Sequence, residues 1–411
     1  MSKNKIFDGI LTLGFFVFFF MPRAFEFVPV ASAIYARVFW AQFAYLLLGI
    51  ALTALCGFRN VMNQVTVGIG ALLATECVVC LAHSGDYNIL FHHGVQLMAV
   101  YLFVSYEFQS NPKQFIRTAA WYFTLLIAIN LALLILMPDG VATVETFSAG
   151  RQYKQLDRVN FLEVDNRLSL PIGLAILTAA LAMDKGLWRK LLFAAAAGIG
   201  LMTNLITRSG TGLVGSFVLV GYILLFYVRR GDFKFINLFN LIVVYVIAMF
   251  LVVYASLIPV VQAVIRDWLN KDLTFSGRTE IWELCLKKVA QSPLLGQGNF
   301  ESGWTILWRA IGRNAHNIFL DVLYQGGAVM LLGYGFMLGM VLTRAASVQT
   351  KKSQLVLVFL FSMYLVMLCE SFFYNSYLYL FYALALCPEA LEAGERRLWR
   401  LKGVKVCLRN A

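Results

Sequence analysis

"RNAHNIFLDVLYQGG", Arg313 to Gly327, opens polar and turns at once into an apolar run that continues to about residue 343. A run of roughly 17–25 apolar residues crosses a bilayer as a helix. The stretch therefore reads as a membrane span over 317–343, with His316 and Asn317 at its lip. Similar runs recur on both sides of it. Twelve candidate spans emerge, at about 6–22, 38–57, 61–82, 92–108, 118–137, 169–183, 190–207, 211–228, 236–258, 317–343, 354–369 and 376–388.

Composition agrees. The 411 residues are 60% hydrophobic and only 14% charged, and mean hydropathy is +0.74. A soluble domain of this size needs far more surface charge. A closed barrel would show alternation over roughly ten-residue strands, and none is visible. The expected fold is all-α, polytopic, with about twelve transmembrane helices, and its one certain partner is the lipid bilayer; no nucleic-acid partner is expected. The first apolar run is followed by "PRAFEFVP" rather than a small-residue cleavage site, so it reads as a retained helix. No repeat or linker divides the chain, so 1–411 is taken as one membrane domain. It carries a first outer loop at 138–168, a large outer loop at 259–315 and a basic tail at 389–411.

Lys and Arg set the orientation. Twenty of the 34 basic residues fall on one side, among them Lys113, Arg117, Arg189, Lys352 and the tail, against Arg23, Arg37 and Arg208 in the short loops opposite. The rich side is read as cytoplasmic, with both termini inside. The other 11 basic residues lie in the two long outer loops. Long loops are translocated largely regardless of charge. An outward anionic ligand and ordinary headgroup contact explain them equally well.

The seven cysteines give no framework. "CVVC" at Cys77–Cys80 lies inside an apolar run and reads as small buried side chains. His83, His92 and His93 sit near Asp86 without a persuasive metal spacing, so no metal is expected.

Four outer stretches hold residues able to carry chemistry. "QLDRVNFLEVDNRLSLP" contains Arg158 and Arg167. "TNLITRSGTGLVG" puts Arg208 between two apolar runs, and a charge near membrane depth is a functional hypothesis by default. "TFSGRTEIWELCLKKVAQSPLLGQGNF" predicts a helix starting near Arg278, capped by Ser276 and ended by "QSPLLGQG". Glu280 falls in its first turn, and Trp282 and Leu286, four apart, make it amphipathic. The fourth is the opening stretch, where His316 can exchange a proton near neutral pH and Asn317 can cap the helix that follows. Arginine stays charged and grips phosphate with a planar fork, so arginines converging on an outer cavity suit a diphosphate.

With these pieces in order, the chain resembles the O-antigen ligase and polymerase superfamily of bacterial envelope glycosyltransferases. "TRSGTG", "SGRTEIWE", "PLLGQG" and "HNIFLDVLYQGG" carry the resemblance over about 200–345. It implies a glycosyltransferase-C-like inner-membrane protein with a periplasmic active site and short amphipathic helices in its large loop. The implied donor is an undecaprenyl-diphosphate-linked glycan, and the implied acceptor a hydroxyl of lipid A–core or of another glycan. It further implies that Arg208 and Arg278, with Arg158 less directly, hold the diphosphate, and that His316 is the base. Asn317, Glu280 and Asp321 are candidate supporting groups. A diphosphate held by arginines needs little further activation, so no cofactor is called for. The polymerases' repeated arginine-and-glycine loop motif is not evident, which leans the reading toward a ligase. A transporter or flippase would instead carry Gly/Pro-broken helices with charges near the midplane.

Overall fold

Backbone polar groups find no water in hydrocarbon, so each apolar run must satisfy its own hydrogen bonds, and the helix does this within one segment. The structure is a computed structural model describing residues 2–56, 64–83, 85, 87–147, 154–183, 186–228, 236–253, 278–298, 315–348, 350–385 and 390–391. Each of the twelve apolar runs forms a helix over its described residues. The chain begins with α1 (Ser2–Phe19), short α2 (Ala24–Phe27) and α3 (Pro29–Tyr35), then α4 (Val38–Cys56), α5 (Gln64–Ala82), α6 (Tyr87–Ser110) and α7 (Pro112–Leu136). It continues with α8 (Ser169–Ala182), α9 (Leu187–Ile206), α10 (Gly210–Tyr222, extended by a π turn to Tyr227) and α11 (Leu238–Val253). After α12 (Arg278–Val289) come α13 (Ile318–Ala346), α14 (Lys351–Val366) and α15 (Ser376–Leu384).

Among the described residues, seven helical stretches are long and apolar enough to cross a membrane. Others are shorter for a visible reason. Every residue of α8 from Ser169 to Leu181 is buried, as a helix apolar all round must be; it is a strut inside the bundle rather than a lipid-facing span. Outer helices do the opposite. Trp40, Trp121, Phe217, Phe239 and Phe250 are all exposed. Apolar surface spread this widely has no place in water, and the protein is a multi-pass membrane protein.

Aromatic rings fill one end-to-end seam. Phe15 of α1 stacks on Phe103 of α6 with centroids 4.6 Å apart, and Phe16 meets Phe115 and Phe123 of α7. Deep between α13, α14 and α15, the hydroxyls of Tyr334, Tyr364 and Tyr382 bond mutually at 2.6, 2.9 and 2.9 Å. Such bonds glue helices where burial alone gives little drive.

Two features depart from the sequence reading. The 138–168 loop, expected without strands, holds an antiparallel hairpin of β1 (Ala142–Phe147) and β2 (Lys154–Val159), with Ala142 opposite Val159 and Phe147 opposite Lys154. "ATVETF" is rich in residues suited to a pleated strand, a signal too short to stand out beside membrane spans. Second, α13 is broken at Gly327, where φ is 60° and ψ −157°. The "PLLGQG" segment fills the break. Ala328 and Val329 donate to the carbonyls of Pro293 and Leu294 at 2.9 and 3.1 Å, and Gln297 and Gly298 donate to those of Tyr324 and Gln325 at 2.8 and 2.9 Å. The backbones approach so closely that a Cβ on Gly296 would lie 2.6 Å from Gly327 N.

Contacts fix which helix ends lie together. Gly200 of α9 packs on Ile172 of α8, and Gly215 of α10 on Val366 of α14. Ile318 N donates to Met367 O at 3.1 Å. The ends at 169, 206, 210, 318 and 366 therefore share one face of the bundle. The ends at 112, 182, 187 and 351 share the other.

Candidate active site

The loop after α14 threads along the start of α13. Glu370 on this loop is the hub. Arg278 Nη2 donates to Glu370 Oε1 at 2.5 Å, and His316 Nδ1 stands 3.3 Å from Glu370 Oε2. The carboxylate is nearly enclosed, the Arg278 side chain 8% and the His316 side chain 30% exposed. Burial pushes the Glu370 carboxyl upward. The charges of Arg278, His316 and Arg167 outweigh it and hold it at about 2. A buried carboxylate kept ionised by cations, at the edge of a partly exposed imidazole, is the pattern of a functional site.

The backbone at His316 is held on both sides. Trp282 Nε1 donates to Ala315 O at 3.0 Å and Ala315 N to Asp321 Oδ1 at 3.3 Å. Asn317 caps α13 by accepting from Leu320 N at 3.0 Å, and its amide donates to Leu368 O at 3.1 Å. Asp321 also accepts from Ser371 Oγ at 2.5 Å. Clamped in this way, His316 takes φ 48°, a left-handed conformation that non-glycine residues rarely hold without such support.

Arg208 is the other described non-glycine residue with positive φ, at 51°. Arg208 N donates to Leu205 O at 3.1 Å and Ser209 N to Asn204 O at 3.0 Å. This is the Schellman ending of a helix, with arginine in the place where glycine is favoured. Ser209 then caps α10 by accepting from Gly212 N. Arg208 is exposed at the same face of the bundle as His316. No hydrogen bond or ion pair among the described residues ties it to the Glu370 group.

The other expected residues divide. Arg158 Nε meets both oxygens of Asp165 at 3.0 Å, and its Nη1 reaches Pro138 O at 2.8 Å. It ties the hairpin to the 3₁₀ turn Asp165–Leu168. Arg167, on that turn, is the one whose charge acts on Glu370. Glu280 lies in the first turn of α12, and its side chain, like the Ser276 cap, falls outside the described residues. The helix starts at Arg278 as expected and is amphipathic, but its buried face is Ile281, Cys285 and Val289, while Leu286 is exposed. Burial, with the nearby Asp321 charge, pushes the Cys285 thiol up to about 12, so it stays protonated and serves as packing. The three N-terminal histidines go separate ways. His83 reaches Leu295 O at 3.1 Å, His92 stacks on Phe39 and His93 pairs with Glu76 at 2.7 Å.

Glu370 itself escaped the sequence reading. It follows an apolar span as one letter in "LCESFFYN", and only its isolation among apolar residues marked it.

Residues 193–335 match the family model Wzy_C, described as O-antigen ligase. Over that segment the chain is similar to the O-antigen ligase family, consistent with the O-antigen ligase and polymerase superfamily. The match contains Arg208, Arg278 and His316. No curated protein matches the chain in sequence. The match implies a glycosyltransferase-like enzyme of the O-antigen ligase or polymerase type; Glu370 lies outside the matched segment.

Proposed function

We propose that the protein is a ligase-like glycosyltransferase of the bacterial inner membrane. It moves a glycan en bloc from undecaprenyl diphosphate to a sugar hydroxyl of lipid A–core at the periplasmic face. The observation that carries this reading is the convergence of Arg278 and His316, far apart in sequence from Glu370, on its one buried carboxylate.

Glu370 accepts the Nδ1 proton of His316, which leaves Nε2 as the basic nitrogen, as a carboxylate does for a catalytic imidazole elsewhere. Nε2 takes the proton of the acceptor hydroxyl as its oxygen attacks the anomeric carbon. The carbon–oxygen bond to the diphosphate breaks on the opposite face, inverting the anomeric configuration. Negative charge grows on the departing diphosphate, and preorganised arginines stabilise that state more than the ground state. Arg278 is fixed for this by Glu370, and Arg208 is held ready by its strained corner. Arg167 stands beside them, and Arg158 steadies its turn through Asp165. For the donor's lipid tail, an apolar slot of about 180 Å³ lies between α11, α13 and α14. Phe319, three residues past His316, lines it.

The glycine break in α13 is a device expected of transporters. Here it lies ten residues into the helix and is filled by loop backbone, which supports an anchoring role.

The test is purified protein supplied with lipid-linked glycan, with and without lipid A–core. Transfer that needs lipid A–core supports the ligase. Chain growth without it identifies a polymerase using a second lipid-linked glycan. No glycosyl transfer in either arm, from folded protein that binds the donor, rejects the proposal.

A further inference from the structure

One ionisable pair lies inside the bundle and has no part in the chemistry proposed so far. Glu76 lies six residues before Ala82, the last of α5, and His93 six residues after Tyr87, the first of α6. Both therefore sit about 9 Å in from the adjoining ends of their helices. His93 Nδ1 stands 2.7 Å from Glu76 Oε2, and both side chains are buried. Glu76 Oε1 and His93 Nε2 are buried as well and meet no hydrogen-bond partner. Among the described residues no third ligand completes a metal site with them.

Beside the pair runs the loop that carries Glu370. The rings of Phe373 and Tyr374 lie 6.0 and 4.7 Å from the His93 ring, the second edge to face, and Tyr379 of α15 lies 5.2 Å from it. Tyr374 Oη donates to Gln325 Oε1 at 2.9 Å. The loop is thus held at two places. Arg278, His316 and Asp321 hold it at Glu370 and Ser371; His93 and Gln325 hold it at Phe373 and Tyr374.

Stability does not explain the pair. Ionisable groups inside a membrane bundle are costly, and two of the pair's polar atoms recover none of that cost. Apolar side chains in place of a buried ion pair are often neutral or stabilising. What apolar side chains do not supply is direction. The bond to Glu76 fixes the plane of the imidazole, and on that plane Phe373 and Tyr374 rest. An error there passes along the loop to Glu370, which aims both Arg278 and His316. A group one step behind a reacting residue acts in this way, and losing one costs about 10–100-fold.

We propose that Glu76 and His93 are positioning residues for glycosyl transfer, setting the loop that presents Glu370 to Arg278 and His316. This role presupposes the reaction proposed above; the coupling between pair and loop can be measured without it.

That measurement is thermal unfolding of the full-length protein in detergent. Glu370→Gln is introduced into the wild type and into Glu76→Leu/His93→Leu. Without the pair the loop no longer holds Glu370 against Arg278. Glu370→Gln then lowers the unfolding temperature by less than about half as much as in the wild type. An equal drop in both backgrounds overturns the proposal. Turnover per folded molecule is measured next, with lipid-linked glycan and lipid A–core. Glu76→Leu/His93→Leu unfolds no lower than wild type and turns over about 10–100-fold more slowly. Glu76→Gln, whose amide oxygen still accepts from Nδ1, stays within about threefold of wild type, short of that loss. Wild-type turnover in the double variant, or an equal loss in Glu76→Gln, overturns the proposal. If the double variant does not fold, Glu76→Gln/His93→Leu, which leaves no buried charge behind, takes its place with the same outcomes. A wild type that transfers no glycan overturns the reaction and this role with it, while the unfolding comparison still reports whether the pair sets the loop.

Discussion

Arg208 and His316 share a backbone conformation that side chains resist, and both stand out in the sequence. What sequence supplied was chemical type and position, a charge between apolar runs and an imidazole at a helix lip. It could not supply φ, which depends on partners such as Leu368 and Trp282 that are remote in the chain. The strain separates structural from chemical roles. Left-handed backbone costs a non-glycine residue about 1–2 kcal/mol. Arg208→Gly is expected to raise stability by up to about 1 kcal/mol in thermal unfolding. Its affinity for the lipid-linked donor should fall about 10–100-fold, the size of a lost charged hydrogen bond; unchanged affinity removes Arg208 from the diphosphate site. At His316, asparagine tolerates left-handed backbone where alanine does not. His316→Asn should therefore fold better than His316→Ala, yet both should lose turnover by about 10²–10⁴-fold. An active His316→Asn enzyme would reduce the histidine to a backbone role. Glu370 adds a pH signature. Its carboxyl is held at about 2 against an ordinary 4.5, so the stabilisation is complete above about 4.5 and fades as pH falls toward 2. Relative to Glu370→Gln, the wild type should be more stable at pH 5–7 by on the order of 3 kcal/mol. The gap should close on acidification; a gap independent of pH contradicts the ion pair.

Among elements, the junction between "PLLGQG" and "YQGG" governs how the large loop is attached. Sequence reading found the first as a helix ending and the second as the continuation of a span. That the two are backbone partners was not legible, because glycine advertises conformational freedom without naming what approaches it. The α12 face was misjudged for a related reason. Trp282 and Leu286 are the bulkiest apolar pair, but Ile281, Cys285 and Val289 meet Ala315 and Tyr324, and spacing alone does not rank two overlapping faces. Gly327→Ala would place a Cβ against Leu294 backbone at φ 60°, where no side-chain rotamer can relieve the clash. The expected outcome is a loss of more than about 2 kcal/mol in stability. Limited proteolysis should cut first between α12 and α13, because the loop backbone is no longer held. A variant as protease-resistant as wild type would show that the docking is incidental.

Across the molecule, charge and chemistry separate to opposite ends. The sequence reading assigned Lys113, Arg117, Arg189 and Lys352 to one side from their loops alone, and the fold gathers these four into a single cleft. Arg278, Arg167 and His316 gather around Glu370 at the other end. Helix count and alternation were enough for this, because each span reverses direction and the basic loops recur at every second turn. They were not enough to separate buried α8 from spans that face lipid, since both are uniformly apolar. The separation predicts sidedness. Membrane proteins retain Lys and Arg of short loops on the cytoplasmic side, so the cleft is expected to face inward and the Glu370 group outward. Two positions suit a labelling test in a cysteine-free background: Lys287 on α12, whose side chain is 68% exposed, and Ser347, exposed just past the far end of α13. Lys287→Cys should react with a membrane-impermeant maleimide in cells whose outer membrane is permeabilised, and Ser347→Cys only after the inner membrane is broken. The reverse pattern would place the candidate base in the cytoplasm, away from any acceptor assembled at the outer surface, and the transfer reaction proposed for this site would have to be abandoned along with the orientation.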